Sequence, residues 1–219
     1  MTLALFDLDN TLLNDDSDYQ WGQFLVSKKL VDGDTHTARN LAFYEQYKAG
    51  TLDIHEFCAF SLESLACRSM EELHILHKEF MTDFIEPKIS LKSKALIAQH
   101  KAREDTLMVI TATNSFVTRP IVSFLGIDNL IATEPKIENG RYTTQIDGTP
   151  SFKEGKVTRL NTWLAENNES LDNSYFYSDS HNDLPLLERV TYPIAVDPDP
   201  TLEAVARERG WDIISLIDD

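Results

Sequence analysis

The chain alternates between short apolar runs and long segments in which apolar residues recur every three or four positions. Leu3 to Phe6 are four consecutive apolar residues without a polar face, which is typical of a buried strand. Similar runs follow in the second half of the chain. The pattern predicts strands at 3–6, 106–111, 130–133, 174–178 and 192–196, a hairpin over 137–146 and a final edge strand at 213–214.

Residues 15–103 contain little that resembles a strand, and apolar side chains recur there at helical spacing. Ser17 or Asp18 is the expected N-cap of the first helix, and Ser69 begins a capping box before the fourth. A further amphipathic helix is predicted at 91–102. Successive helices without a strand indicate a helical bundle inserted into another fold.

After residue 103 the predicted strands alternate with helices at 115–125, 153–167, 181–189 and 200–209. This alternation implies right-handed crossovers and a mainly parallel sheet. The sequence therefore predicts an α/β fold, a doubly wound sheet with an inserted all-α cap. The predicted domains are a core of residues 1–14 and 104–219 and a helical cap of residues 15–103.

Composition narrows the possible partners. With 219 residues and a 42% apolar fraction, the chain can bury a substantial core. A net charge of −16 argues against binding nucleic acid or an anionic membrane surface. Two cysteines are too few for a disulfide framework, and no apolar run approaches the ~20 residues of a membrane span. Since Met1 and Thr2 lead directly into a strand, we expect no signal peptide and a cytoplasmic protein, monomeric or homodimeric.

Two aspartates directly follow the first strand. Asp7 and Asp9 would leave its carboxyl end on the same side, at the edge where open α/β sheets place their chemistry. Aspartate is also common in turns, so this pair alone is a weak signal. Two carboxylates held this close repel, which calls for a cation, a shared proton or a substrate that uses the repulsion.

Polar residues also follow other predicted strands. Thr111 ends the strand at 106–111, Asp179 ends the strand at 174–178, and Asp183 lies four residues later. Lys153 and Lys156 flank a helix start, where cations are mildly disfavoured by the helix dipole. Hard oxygen ligands in this number favour Mg²⁺ together with a phosphate group.

In this order and spacing, the residues resemble the four motifs of the haloacid dehalogenase superfamily. The motifs are Asp7-Leu8-Asp9-Asn10-Thr11, Thr111, Lys156 and Asp179-x3-Asp183. The helical insert resembles the phosphoserine phosphatase-like branch (subfamily IB), and a related group with a similar Asp-Ser-Asp-Tyr-x-Trp stretch includes histidinol-phosphate phosphatases. The resemblance covers essentially the whole chain and implies a Rossmann-like core with a helical cap over the site.

The resemblance also implies roles for these residues. Asp7 would be the nucleophile that forms an aspartyl-phosphate, and Asp9 would act as general acid and base. Mg²⁺ would be held by Asp7, the backbone carbonyl of Asp9 and Asp179, with Asp183 as a direct or water-bridged ligand. Thr111 and Lys156 would bind the phosphoryl oxygens, with Lys156 preferred over Lys153 because the helix continues regularly from it.

Two further residues are candidates for substrate binding. Asp16 lies nine positions after the nucleophile, where phosphoserine phosphatases carry a carboxylate for the substrate amine, although it could equally cap a helix. Asn182 could orient Asp183, touch phosphate or simply be exposed. No arginine around Cys58 to Leu65 matches the residue expected to pair with a phosphoserine carboxylate, so the choice between phosphoserine and histidinol phosphate stays open.

The sequence thus predicts a Mg²⁺-dependent phosphomonoesterase that acts on a small phosphorylated metabolite through an aspartyl-phosphate. A phosphotransferase that uses a small alcohol in place of water is an alternative that the residues do not separate from it. A catalytically silent phosphate-binding module is a third, disfavoured by the intact Asp7, Asp9, Lys156 and Asp179.

Overall fold

A seven-stranded sheet forms the centre of the computed structural model, which describes residues 2–218. The strand order is β4-β3-β2-β1-β5-β6-β7. All neighbouring strands are parallel except the β3–β4 pair, which is an antiparallel hairpin. The strands are β1 (Leu3–Phe6), β2 (Thr106–Asn114), β3 (Asn129–Glu138), β4 (Arg141–Asp147), β5 (Tyr175–Ser178), β6 (Tyr192–Val196) and β7 (Asp212–Ile214).

Strand β1 lies at the centre, where the strand order reverses. Phe6 pairs with Val109 of β2 on one side and with Tyr177 of β5 on the other. The chain builds the sheet outward from β1 in one direction through β2 and β3, and then in the other through β5 and β6. In open parallel sheets ligands bind at the carboxyl ends of the strands at this switch point. The α/β, Rossmann-like fold predicted from the sequence is confirmed.

Both faces of the sheet are covered. Leu5 of β1 lies in a buried cluster with Leu160 and Phe176 on one face. Phe6, the next residue, belongs to the cluster on the opposite face, as the alternation of side chains along a strand requires. The helices are α1 (Ser17–Ser27), α2 (Gly33–Lys48), α3 (Ile54–Ala66), α4 (Met70–Phe80), α5 (Leu91–Ala102), α6 (Ser115–Phe124), α7 (Glu154–Asn167), α8 (Leu184–Leu187) and α9 (Pro200–Arg209).

The segment between β1 and β2 is helical, as expected. After α4 the chain continues through a π-helical turn (Met81–Ile85) and a 3₁₀ turn (Glu86–Lys88) before α5. The aromatic rings of Trp21 and Phe24 on α1 pack against Phe80 at the end of α4. These residues belong to the same continuous cluster as Phe6 of β1, so the inserted helices and the sheet share one apolar core.

Three local predictions need correction. The N-cap of α1 is Asp16, one or two residues earlier than expected. Strand β3 runs without a break into the hairpin, whereas a separate short strand at 130–133 was expected. The helix expected at 181–189 is a 3₁₀ turn (His181–Asp183) followed by the short α8, with Pro185, which lacks a backbone donor, in the first turn of α8.

The division into a core of residues 1–14 and 104–219 and a cap of residues 15–103 stays a prediction, and its outermost residues, 1 and 219, lie outside the described range. Across residues 2–218, none of the helices has the length and apolar character to span a membrane.

Candidate active site

The carboxyl ends of the three central strands meet at one edge of the sheet. Asp7 directly follows β1, Thr111 lies on β2, and Asp179 directly follows β5. The first turn of α7 supplies Lys156 from the adjacent side. The sheet topology therefore brings together the residues that the sequence placed at separate strand ends.

Lys156 joins two of the carboxylates. Its Nζ lies 2.6 Å from Asp7 Oδ1 and 2.8 Å from Asp183 Oδ2. Asp183 Oδ2 also accepts the hydroxyl of Ser178 at 2.7 Å. All three charged side chains are buried, with Lys156 only 3% exposed. The arrangement is a fully desolvated network with two negative charges and one positive charge.

Burial and mutual repulsion perturb the ionisation of this network. Burial raises the pKa of Asp7, Lys156 opposes the shift and the carboxylates of Asp183 and Asp9 add to it, so that the pKa is about 7. Burial and then repulsion from Asp7 and Asp183 hold the pKa of Asp179 well above its usual value. Burial alone would lower the pKa of Lys156, but Asp183 and Asp7 outweigh it and raise that pKa, so the ammonium stays charged.

Asp9 is fixed by donors at both carboxyl oxygens. Its Oδ1 accepts the backbone N–H of Ser17 at 2.7 Å. Its Oδ2 accepts the hydroxyls of Thr113 at 2.8 Å and Thr111 at 3.3 Å. Burial raises the pKa of Asp9, and these hydrogen bonds partly oppose the shift. The side chain is thus held in one orientation and retains its proton more readily than an exposed aspartate.

Thr11 ties Asp179 to the loop after β1. The Thr11 hydroxyl accepts the backbone N–H of Asp179 at 3.1 Å and donates to Asp179 Oδ1 at 3.3 Å. The intervening loop contains Asn10 with a positive φ of 56°, a conformation that asparagine tolerates better than most residues. This link sets the spacing between the carboxyl ends of β1 and β5.

The start of α7 distinguishes the two candidate lysines. Lys153, with a positive φ of 49°, donates its Nζ to the backbone oxygen of Gly50 at 2.7 Å. Gly155 approaches the preceding loop so closely that a Cβ would lie 2.1 Å from the backbone oxygen of Pro150. This approach places Lys156 in the site and leaves Lys153 outside it.

The two candidate substrate residues make local contacts. Asp16 caps α1 by accepting the N–H of Tyr19 at 2.8 Å, and burial followed by repulsion from Asp9 and Asp18 holds its pKa well above the usual value. Asn182 donates its Nδ2 to the backbone oxygen of Tyr47 at 3.2 Å. No residue in the described range hydrogen-bonds to the buried Oδ1 of Asn182.

A cavity lies between the sheet edge and the inserted helices. Its walls combine carboxylates, threonines and aromatic rings. It is lined by Asp7, Asp9, Asn10, Asp16, Asp18, Tyr19, Asn40, Phe43, Tyr44, Tyr47, Leu52, Ile54, Phe57, Thr111, Ala112, Thr113, Phe152, Lys156, Asn182 and Asp183. All the predicted site residues except Asp179 therefore line one cavity.

The sequence prediction missed Thr113 and Asp18. Thr113 makes the shorter of the two hydroxyl contacts to Asp9, and Asp18 is buried in the cavity wall. Thr113 follows Thr111 by two positions in the same strand, and alternation along the strand would have placed both hydroxyls on one side. Asp18 is the second aspartate of the Asp-Ser-Asp-Tyr-x-Trp stretch, but its first-turn position also suits an exposed helical aspartate, so the stretch alone did not mark it as a site residue.

The same carboxylates are the candidates for holding a metal ion. Their oxygen donors are of the kind that Mg²⁺ prefers, and burial, with repulsion between the carboxylates as a smaller cause, raises the pKa values of Asp7 and Asp179. Within residues 2–218 no three His, Cys, Asp or Glu side chains form a ready-made metal cluster. The donor chemistry fits Mg²⁺, and the ligand set stays a prediction.

Comparison with known proteins gives consistent matches. The model of the haloacid dehalogenase-like hydrolase family matches residues 4–188. A histidinol-phosphatase of Neisseria meningitidis is 49% identical over 98% of both chains. A phosphoserine phosphatase of Mycobacterium tuberculosis is 29% identical over 96% of this chain and 69% of its own length.

Solved structures show the same architecture. A Bordetella pertussis protein of unknown function superposes with a TM-score of 0.93 at 48% identity, covering 99% of this chain and 100% of its own. A substrate-bound phosphoserine phosphatase has a TM-score of 0.72 at 17% identity, with 100% of this chain and 94% of its own covered. At that identity the second match establishes the fold alone.

Proposed function

The chain belongs to the haloacid dehalogenase-like hydrolase family, and from this premise we propose that it is a Mg²⁺-dependent phosphomonoesterase that acts through Asp7. The observation that carries the proposal is the position of Asp7. Its carboxylate is bound to Lys156 and lies beside the fixed carboxyl group of Asp9 in one cavity. A nucleophile, a cation and a proton carrier are thus adjacent.

Asp7 supplies the nucleophile. Lys156 binds Oδ1, whereas no described residue donates a hydrogen bond to Oδ2. Oδ2 attacks phosphorus, a bond from Oδ2 to phosphorus forms, and the bond from phosphorus to the ester oxygen breaks. Water then attacks the aspartyl-phosphate, which releases inorganic phosphate and restores the Asp7 carboxylate.

Asp9 carries the proton. Because burial raises its pKa, its carboxyl group can hold a proton for the departing alkoxide. In the second half-reaction the carboxylate takes a proton from the attacking water. Ser17 and Thr113 hold both oxygens in place, so Asp9 meets the leaving group in one orientation.

Lys156 and Thr111 are the proposed ligands of the phosphoryl oxygens. The Lys156 ammonium lies between Asp7 and Asp183 and can offset charge that develops on the phosphoryl group. The Thr111 hydroxyl contacts Asp9 at 3.3 Å, a long hydrogen bond that it can exchange for a phosphate oxygen. Asn182, with a free buried Oδ1, is a proposed substrate contact beside Asp183.

Mg²⁺ would be held by Asp7, the Asp9 backbone carbonyl and Asp179, with Asp183 as a direct or water-bridged ligand. When bound, the ion would neutralise part of the charge between the carboxylates and the phosphate. This fits the burial and the mutual repulsion that raise the pKa values of Asp7 and Asp179.

The proposed substrate is a small phosphorylated metabolite of the phosphoserine or histidinol phosphate type. The names of two relatives support this choice, one a histidinol-phosphatase and the other a phosphoserine phosphatase. Asp16, at the edge of α1 and in the cavity wall, is a proposed contact for the substrate amine.

The proposal is tested by measuring the release of inorganic phosphate from a panel of phosphate esters that includes O-phosphoserine and histidinol phosphate. Each ester is assayed once with Mg²⁺ and once with EDTA. Asp7→Asn removes the nucleophilic oxygen and is expected to reduce the rate on the order of 1,000-fold or more. Asp147→Asn, on the exposed edge strand β4, is the matched control and is expected to retain wild-type activity.

Each outcome separates the proposal from its alternatives. Activity in Asp7→Asn equal to wild type would refute the aspartyl-phosphate route. Phosphate esters of an added alcohol as the main product would identify a phosphotransferase. Absence of turnover together with failure to form any acyl-phosphate mimic with beryllium fluoride would favour a silent phosphate-binding module.

A further inference from the structure

The loop from Asp179 to Asp183 carries two of the proposed metal ligands. Asp179 directly follows β5, and Asp183 ends the 3₁₀ turn four residues later. A single 3₁₀ turn is held by few and poorly aligned backbone hydrogen bonds. The geometry between the two carboxylates therefore depends on the groups that bind this loop from outside.

Hydroxyl groups at the sheet edge hold the two ends of the loop. The Thr11 hydroxyl binds Asp179, and the Ser178 hydroxyl donates to the carboxylate of Asp183. Neither hydroxyl bonds to His181, the residue midway between the two proposed ligands. The middle of the loop is therefore held by a separate anchor.

That anchor is Asp199, which follows β6. Its Oδ2 accepts the backbone N–H of His181 at 2.7 Å and lies 2.8 Å from Nδ1 of the same residue. Since a carboxylate oxygen only accepts, Nδ1 of His181 must carry the hydrogen. The backbone N–H of Asp199 also donates to the backbone oxygen of Asp179 at 2.8 Å. One residue thus binds the loop at its start and at its middle.

Asp199 is itself fixed by the start of α9. Its Oδ1 caps this helix by accepting the backbone N–H groups of Thr201 at 2.8 Å and Leu202 at 2.9 Å. Pro200 occupies the first helical position, and the φ of −59° and ψ of 157° at Asp199 are typical of a residue that precedes proline. One carboxylate oxygen is therefore bound to α9 and the other to the loop.

The segment that carries Asp199 is also anchored to the edge of the sheet. Asp197 has a positive φ of 41°, its backbone N–H donates to the backbone oxygen of Ile214 at 3.0 Å, and its Oδ2 accepts the N–H of Leu216 at 2.9 Å. Leu216 is buried. Asp199 therefore projects from a fixed support and not from a segment that would follow the movements of the loop.

The end of α2 confines the loop on its other side. Asn182 donates to the backbone oxygen of Tyr47, and a Cβ on Gly50 would lie 3.2 Å from Nε2 of His181. The His181 ring is thus held between Gly50 and the carboxylate of Asp199. Asp199 does not line the cavity, so it acts on the site only through the loop.

We propose that Asp199 is a positioning residue that holds the loop from Asp179 to Asp183 in the shape that binds Mg²⁺. This inference rests on the proposed Mg²⁺-dependent phosphatase function and adds to it a residue outside the cavity. Groups that orient metal ligands from behind contribute about 10- to 100-fold to metal affinity. Because Asp199 bonds to the backbone of the loop and to His181, it sets the geometry of the ligands and not their charge.

The test is calorimetric titration of Mg²⁺ into the EDTA-treated full chain, as wild type and as Asp199→Asn. Asparagine keeps the size of the side chain and caps helices as well as aspartate, so α9 retains its cap. Its amide nitrogen replaces Oδ2 and places a donor against the two donors of His181. We expect the Kd for Mg²⁺ to rise about tenfold or more.

Asp53→Asn is the matched control. Asp53 caps α3 in the same way, since its Oδ1 accepts the backbone N–H groups of His55 at 2.9 Å and Glu56 at 3.2 Å. No described residue donates to its Oδ2, and the side chain is exposed. The variant loses the same charge and keeps the same kind of cap, so it should bind Mg²⁺ with the wild-type Kd.

The Mg²⁺ dependence of phosphate release provides a second measurement. In Asp199→Asn the Mg²⁺ concentration for half-maximal rate should rise with the Kd, while kcat at saturating Mg²⁺ stays close to wild type, because Asp199 does not contact the cavity. Asp199→Ser keeps a capping hydroxyl and removes the group at Oδ2 without adding a donor. It should show the same rise and serves as the test if Asp199→Asn does not fold.

The two proposals fail in different ways. A wild-type protein that binds no Mg²⁺ would refute the metal site and the role of Asp199 with it. Normal Mg²⁺ binding and phosphate release by the wild type, with an unchanged Kd in Asp199→Asn and Asp199→Ser, would refute the role of Asp199 alone. A lower thermal stability with an unchanged Kd would likewise show a purely structural residue, and an equal rise of the Kd in Asp53→Asn would assign the effect to charge.

Discussion

Lys156 is the residue on which the charge balance of the site depends. It is buried between Asp7 and Asp183, and both contacts are short. Replacement of such a cation leaves two desolvated carboxylates without a partner, which is among the larger effects of a single substitution. The same residue is a proposed phosphate ligand, so replacement of Lys156 should lower both the stability of the protein and its phosphatase activity.

Lys156→Met keeps the apolar stem and removes the ammonium. We expect the free energy of unfolding to fall by about 3 kcal/mol or more at neutral pH, because the carboxylates of Asp7 and Asp183 lose their counter-charge. Phosphatase activity should fall on the order of 100-fold or more. Urea unfolding and steady-state phosphate release measure the two effects.

Lys153→Met is the control for this substitution. Lys153 lies three residues earlier, and its Nζ donates to the backbone oxygen of Gly50 outside the carboxylate network. Its loss should cost only about 1 kcal/mol, the contribution of one hydrogen bond. Equal losses of stability in the two variants would contradict the assignment of the buried network to Lys156.

Single residues also show what the sequence could and could not predict about the site. Asp7, Asp9 and Asp179 follow apolar strands, so periodicity alone placed them at one edge. Thr113 was missed although its spacing from Thr111 was available. The burial of Asp18 could not be predicted, since it depends on Ser61 and Asn114, which lie 43 and 96 residues away.

At the scale of elements, the start of α7 is the feature that positions Lys156. Gly155 lies against the backbone of Pro150, which fixes how closely the first turn of the helix can approach the loop before it. A backbone atom cannot move aside as a flexible side chain can. The glycine is therefore needed for space, and the helix start must shift if a side chain is added.

Gly155→Ala is expected to shift the first turn of α7 and with it the ammonium of Lys156. The overpacking should lower the free energy of unfolding by about 1–3 kcal/mol despite the better helix propensity of alanine. Activity should fall more than stability alone explains, since Lys156 leaves its position between the carboxylates. Thermal unfolding and kcat measure the change.

Thr158→Ala provides the comparison within the same helix. Thr158 is exposed on α7, and its hydroxyl only donates to the backbone oxygen of Glu154. Alanine there should change stability by less than about 0.5 kcal/mol and leave activity intact. Wild-type activity in Gly155→Ala would show that the helix start does not position Lys156.

The elements themselves were largely predictable, because strong periodicity marks them. The helix bounds of α5 and α9 and the strand bounds of β6 agree with the sequence prediction. Strand β3 was shortened in the prediction because Glu134 and Pro135 interrupt its apolar run. Its pairing with β4 supplies backbone hydrogen bonds that a local pattern does not contain.

At the scale of the whole molecule, one apolar core joins the sheet to the inserted helices, while negative charge collects at the cavity between them. The chain has a net charge of −16, and the cavity wall alone contains Asp7, Asp9, Asp16, Asp18 and Asp183. Burial of these groups opposes folding when they are ionised. The folded protein is expected to gain stability from whatever cation enters the site.

The dependence of stability on pH follows from two of these groups. The folded-state pKa is about 7 for Asp7 and about 6 for Asp18, against 3.8 for an unperturbed aspartate. The folded protein therefore holds more protons than the unfolded chain across that window. The stability that these two protonated groups contribute is fully present below the unfolded pKa of 3.8. It is lost as the pH rises through the folded-state values of about 6 to 7.

Metal-free protein should accordingly be more stable at about pH 5 than at about pH 7.5, with Asp18, whose folded-state pKa lies about one pH unit above pH 5, contributing about 1.4 kcal/mol to the difference. Mg²⁺ should reduce this difference, because it binds the ionised carboxylates. At about 100 times its dissociation constant a ligand adds about 2.7 kcal/mol. Since protons compete for the same oxygens, the gain should be larger at about pH 7.5 than at about pH 5.

Urea unfolding at both pH values, with EDTA and then with Mg²⁺, measures these effects. Na⁺ at matched ionic strength separates specific binding from general screening of the negative surface. Asp179→Asn removes a proposed ligand and should abolish most of the gain from Mg²⁺. If Na⁺ stabilises the protein as much as Mg²⁺, or if Asp179→Asn responds like the wild type, the buried carboxylates do not form a metal site, and their repulsion must be relieved by the substrate alone.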